Sequence, residues 1–120
     1  MRPRGFTLLE LLVVVAILGV LLGLILWYLE PVRKRANLVA GLSYAKSVAM
    51  ELEALKDLKT GAPPTSFSDC MTGFGARPAA VTGCTVEWQG LDPKITLTLR
   101  SATHSTVIYE GATGTLSTLP

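Results

Sequence analysis

The chain reads as an α+β protein: one long N-terminal α-helix, apolar in its first half and amphipathic in its second, packed on a small antiparallel β-sheet of three to four strands. Three observations predict this. Residues 11–29 carry no charge over nineteen consecutive positions. The following thirty residues repeat apolar side chains at steps of three and four, and the C-terminal third alternates β-branched and polar residues between short turn-forming stretches. About thirty of the 120 residues go to a leader and the apolar run, so some ninety remain for a soluble head and its supporting helix, and the core is thin.

The first five residues, Met1-Arg2-Pro3-Arg4-Gly5, form a basic leader ending in a residue that offers a protease bare backbone, which makes Gly5 the natural cut point. Residues 6–29 form a helix whose uncharged part, rising 1.5 Å per residue, is about 29 Å long and matches the hydrocarbon thickness of a bilayer. A secretory signal would have a shorter apolar core and a small-residue cleavage site after it. Here the run ends in Trp27-Tyr28-Leu29-Glu30-Pro31, and cleavage after it is not expected. Trp27 and Tyr28 read as an interfacial belt. Gly19-x-x-x-Gly23 fits the small-residue motif for close helix pairing in membranes, against the alternative of two glycines tolerated in a lipid-facing helix.

Glu10 stands at the mouth of this helix. An ionised side chain in hydrocarbon costs roughly 2.5 to 3.5 kcal/mol on insertion scales, so a partner cation is expected, and a new amino terminus is the natural one. A Phe6 amine and the Glu10 carboxylate lie i, i+4 on one helix face, near the positive end of the dipole. Paired between subunits they would cancel, and breaking such a pair by removing one partner costs about 3 to 5 kcal/mol. The alternative is an ordinary first-turn acid at headgroup level, satisfied by the dipole and water.

Residues 30–60 continue as the amphipathic helix of the head, with a kink or restart at Glu30-Pro31, where proline removes an amide proton. Leu38, Leu42, Ala45, Ala49, Leu52 and Leu55 form the apolar stripe, widened by Val48 and Leu58. Gly61 and Pro63-Pro64 supply the stop, so the helix is expected to reach Lys59. Residues 61–84 form a connecting loop with little regular structure, holding three prolines and four glycines. The sheet occupies residues 85–120, with strands at 85–88, 94–100, 106–110 and 115–119 joined by hairpin connections, and Ile95, Leu97 and Leu99 face one side. That face covers the helix stripe as a two-layer head.

Cys70 and Cys84 in a loop-rich stretch of a small domain read as a disulfide worth roughly 3 kcal/mol for a loop of about fifteen residues, with two unpaired buried thiols as the alternative. A disulfide places the C-terminal part outside the cytoplasm, which the positive-inside count, with Arg2 and Arg4 facing Arg33-Lys34-Arg35, does not decide. Removing Arg2 and Arg4 leaves nine basic residues against nine acidic ones, so the cleaved chain has no overall electrostatic case for nucleic acid, although a local patch is left open.

The stretch Gly5-Phe6-Thr7-Leu8-Leu9-Glu10, the basic leader before it and the long apolar helix after it resemble the class III signal of type IV pilins and of type II secretion pseudopilins. The resemblance implies that a prepilin peptidase cuts between Gly5 and Phe6 and methylates the Phe6 amine. It implies that Glu10 neutralises the Phe6 amine of a neighbouring subunit as the chains polymerise into a helical homo-oligomeric filament. It implies storage in the cytoplasmic membrane as a single-pass protein with its head outside the cytoplasm, then lifting by an inner-membrane assembly platform into an extracellular pilus. By the same resemblance the segment Gly19 to Gly23 melts in the filament, and Ser66, Asp69, Met71, Phe74 and Arg77 of the loop are contact candidates. The family's common disulfide brackets the C-terminal strands, whereas Cys70 and Cys84 would close the loop before the sheet.

Catalysis lacks its parts. The single histidine, His104, falls on a turn as a surface residue, with no cysteine or carboxylate at metal-ligand spacing and no nucleotide-binding glycine motif, so no cofactor or metal is expected. The expected function is a type IV pilus subunit. A type II secretion pseudopilin, a minor pilin of DNA uptake and an anchored binding module that never polymerises are the rivals.

Overall fold

The computed structural model describes residues 4–64 and 68–120; Ser66, one of the loop contact candidates, lies outside them, as does the leader up to Pro3. The elements are a helix α1 (Leu8–Ala54) and four strands, β1 (Val81–Gln89), β2 (Asp92–Leu99), β3 (Thr106–Glu110) and β4 (Thr115–Leu119). The chain divides into two compact units, the first ending at Val32 and the second beginning at Arg33.

In the first unit, every described residue up to Val32 is exposed, including the whole apolar run. This stretch is long and apolar enough to cross a membrane. Its coverage must come from lipid or from other chains, because hydrophobic side chains left in water forfeit about 1.5 to 3 kcal/mol each. Gly19 and Gly23 are helical here, and Pro31 lies inside α1 rather than starting a new helix.

In the second unit the four strands pair antiparallel in the order β1-β2-β3-β4. Registers carry one apolar row across the sheet through Val86, Ile95, Tyr109 and Leu116, and a second through Cys84, Leu97, Val107 and Thr118. These rows meet Tyr44, Ala45, Val48, Ala49 and Leu52 of α1 to form the core. Burial fades along the first row, from Ile95 at 0% exposed to Leu116 at 40%.

Four expectations need correction. The helix ends at Ala54, not Lys59, because Asp57 takes the Lys59 amide on Oδ1 at 2.8 Å and so favours a turn over another helical turn. Leu55 and Leu58 are consequently exposed, while the buried face gains Gly41 and Tyr44. Strand β1 starts at Val81, so the last four residues assigned to the connecting loop belong to the sheet. Gly83, read as a loop glycine, sits where the register shifts opposite Thr98, and the Thr98 hydroxyl occupies the space a Cβ would need. Finally, β2 runs from Asp92 to Leu99, two residues earlier than expected, because the β1–β2 connection is tighter, turning at Gly90 with φ of 71°.

The connecting segment is more ordered than its composition implies. Ser68 O accepts from the Val86 amide at 3.0 Å and Cys84 O from the Cys70 amide at 3.4 Å, with a bridge between Asp69 and Thr85. Three residues thereby cover the outer edge of β1. The β2–β3 connection is held on α1, where Asn37 Nδ2 donates to Ser101 O at 2.8 Å and the Thr103 amide to Lys34 O at 3.3 Å.

Candidate assembly site

The start of α1 is a reciprocal cap. Glu10 Oε2 accepts from the Thr7 amide at 2.9 Å and from the Thr7 hydroxyl at 3.1 Å, while Thr7 Oγ1 accepts from the Glu10 amide at 3.2 Å. Thr7 is the N-cap and Glu10 the third helical residue, the arrangement of a capping box, which satisfies amides that the first turn otherwise leaves without partners. Thr-x-x-Glu ahead of an apolar run is the sequence signature of this box, and it gives the first-turn alternative for Glu10 a specific partner in Thr7. Within one chain, and among the described residues, the partners recorded for Glu10 lie on Thr7.

Phe6 precedes the cap and is 86% exposed. A Cβ added at Gly5 would meet nothing within 4 Å, and the same holds at Gly19 and Gly23. Glycine in a helix interior is about 0.8 to 1.0 kcal/mol worse than alanine, and no contact within this chain explains that cost at positions 19 and 23. Trp27 and Tyr28 are exposed at 85% and 74%.

Cys70 and Cys84 form a disulfide with a Cα–Cα distance of 5.1 Å, both half-cystines being buried. Because Cys84 sits in β1, the bridge fastens the connecting segment to the sheet edge. Tyr44 completes the fastening from α1 by donating its hydroxyl to Cys70 O at 2.8 Å. Burial pushes the Tyr44 phenol up from its ordinary value, against the opposing pull of the Arg77 charge.

The loop contact candidates separate. Phe74 is buried in the core and is not a surface contact. Met71 is half-buried against the core, and Asp69 Oδ1 accepts from the Met71 amide at 2.8 Å. Arg77 is exposed, with Nη1 3.5 Å from Met71 Sδ. His104 is half-buried rather than a free surface residue, and its Nδ1 is buried without a hydrogen-bond partner. Among the described residues no group of three or more His, Cys, Asp or Glu side chains could hold a metal ion.

Comparison with known proteins bears on both units. The prokaryotic N-terminal methylation motif matches residues 1–26, and the Pilin A4 family model matches residues 37–116. The chain is similar to the solved structure of the type IV-like competence pilin TTHA1222 from Thermus thermophilus, with 46% identity and a TM-score of 0.68 over 70% of this chain and 99% of that one. It is also similar to the TTHA1221 type IV pilin protein from Thermus thermophilus, with 31% identity and a TM-score of 0.63 over the same shares. No curated protein matches significantly.

Proposed function

The chain is a type IV pilin of the Pilin A4 family, and from that membership we propose that it is a structural subunit of a type IV pilus, cut by prepilin peptidase between Gly5 and Phe6 and polymerised through α1. The observation that carries this reading is the methylation motif standing at the head of a span-length apolar stretch of α1 in which no described residue is buried. Such a surface needs lipid before assembly and sister helices after it. Burying it between copies supplies cohesion, and contacts of the head-to-tail kind generate a fibre when their rotation does not close.

Hydrolysis of the Gly5–Phe6 bond frees the Phe6 amine one residue before the Thr7 cap. Glu10 commits Oε2 to its own Thr7. An ionised carboxylate offers about four acceptor sites, so Glu10 can hold its own cap and still accept the amine of a neighbouring chain. In this proposal the cap fixes the carboxylate's rotamer and the neighbour's amine sets the axial offset. The N-methylation of Phe6 keeps the nitrogen basic, so the pairing survives it. Close approach of helices at Gly19 and Gly23 is the packing counterpart, since both present bare backbone.

Mass spectrometry of sheared surface fibres tests the proposal. The expected product begins at methylated Phe6 and is abundant in the fibres; a chain retained in the membrane with residues 1–5 attached defeats it. A second reading, that the filament serves DNA uptake, is supported by the 46% identity with a protein described as a competence pilin. Deletion should then abolish transformation while leaving protein secretion intact, the reverse of what a secretion pseudopilin would give.

A further inference from the structure

The second unit pairs an exposed apolar knob with an exposed apolar groove. After α1 the chain makes a closed turn, with the Asp57 amide donating to Ala62 O at 3.1 Å and the Gly61 amide to Asp57 O at 2.7 Å, and Gly61 at φ of 67°. Leu58 stands at its tip with its whole surface in solvent, 101% exposed, flanked by Asp57 and Lys59. Among the described residues none covers this leucine. Elsewhere on the head, a groove of about 380 Å³ runs between α1 and β4, floored by Met50, Tyr109 and Leu116 and rimmed by Lys46 and Glu53. It exists because the apolar row ending at Leu116 extends past the helix, leaving Leu116 and Met50 40% and 60% exposed.

We propose that Leu58 of one copy seats in the α1–β4 groove of a second copy, with Asp57 facing Lys46 and Lys59 facing Glu53. Charge complementarity selects a second copy as the occupant: the knob carries an acid and a base on either side of its leucine, and the groove carries a base and an acid on either side of its methionine. Glu53 holds Lys56 Nζ of its own chain at 2.7 Å through Oε1, and its carboxylate has acceptor sites left for Lys59 of the second copy. The order along the chain is opposite, so both contacts pair unlike charges in one orientation and like charges in the reverse one. Knob and groove are different patches, so each copy offers one of each and the contact repeats from copy to copy, along a fibre where the rotation does not close. This rests on the filament reading above and adds a head-to-head contact to the helix-to-helix one.

Filaments sheared from cells producing the full chain with Leu58→Cys and Leu116→Cys test it under mild oxidation, with peptide mapping to show Cys70–Cys84 intact. A covalent ladder of dimers, trimers and higher species is expected from the double variant and not from either single one. Lys46→Glu should lower fibre yield by about tenfold, the equivalent of 1.4 kcal/mol, while leaving head unfolding unchanged, since Lys46 is exposed. Leu58 is fully exposed, so its replacement leaves head unfolding unchanged. Fibres at normal yield without a ladder overturn the knob-and-groove contact alone. Adducts to a protein of another mass overturn it in favour of a different occupant. Absence of fibres from the unmodified chain removes the filament reading and this contact with it.

Discussion

The Tyr44 hydroxyl donates to the carbonyl oxygen of Cys70 across 2.8 Å of buried space, so the helix, the disulfide and the edge of the sheet are joined at one point. Tyr44→Phe removes the donor and leaves that carbonyl unsatisfied. The expected cost is about 1 to 3 kcal/mol, read as a lower thermal midpoint of the head.

The same hydroxyl gives the head an alkaline limit. Burial raises the Tyr44 phenol above its unfolded value, so the folded state holds the proton more tightly. Its contribution is fully present below the unfolded value of about 10 and is lost as pH rises through the higher folded one. Unfolding followed from pH 8 upward should show a loss in the native chain that Tyr44→Phe lacks.

Replacing both Cys70 and Cys84 by serine frees a loop spanning 14 positions and buries two hydroxyls where sulfurs packed. A destabilisation of about 3 kcal/mol is expected from the chain-entropy term alone. Exchange of the Cys70 and Val86 amides should accelerate more than that of the β2 and β3 amides, because the bridge holds the edge.

Two substitutions at the helix start separate cap from charge. Glu10→Gln keeps an acceptor for the Thr7 amide and so preserves the box while removing the ion. Thr7→Val keeps the ion and loses the hydroxyl, at a cost of about 1 kcal/mol. Glu10→Gln should be processed at Gly5 yet give few fibres, and Thr7→Val should assemble. The opposite ranking of fibre yields would assign Glu10 to the cap only.

Gly41 lets α1 pack directly on the Leu99 side chain of β2. A Cβ there would lie 2.6 Å from Leu99 Cδ2 and 2.7 Å from Cδ1. Gly41→Ala should destabilise the head by about 1 to 3 kcal/mol less its gain in helix propensity, and Leu99→Val in the same chain should recover part of the loss. Denaturant midpoints of the two single variants and the double one measure the coupling.

Much of this fold is legible without coordinates, because its strongest signals are periodic. Ile95, Leu97 and Leu99 alternate and are buried together, and the 3.6-residue spacing of Ala45, Ala49 and Leu52 finds the helix face. Pairing of Cys70 with Cys84 follows from their being the chain's two cysteines. What resisted reading were positions where a tertiary neighbour decides. Gly83 resembles a loop glycine until Thr98 stands opposite it, and Tyr44 stands outside the apolar stripe read from spacing until Cys70 offers its hydroxyl an acceptor. Leu58 continues the stripe by spacing, but Asp57 bends the chain before the spacing can matter. At the helix start, Thr7 three residues before Glu10 spells the cap in sequence, and the charge of Glu10 alone does not reveal it.

The uncovered apolar stretch and the buried amphipathic stretch belong to one helix, α1. Under the proposed assembly, substitutions in the former would change how strongly copies adhere while leaving monomer unfolding unmoved, and substitutions in the latter would do the reverse. Cohesion and fold would then drift independently under selection, and a lineage could exchange its head for a new surface without relearning how to polymerise.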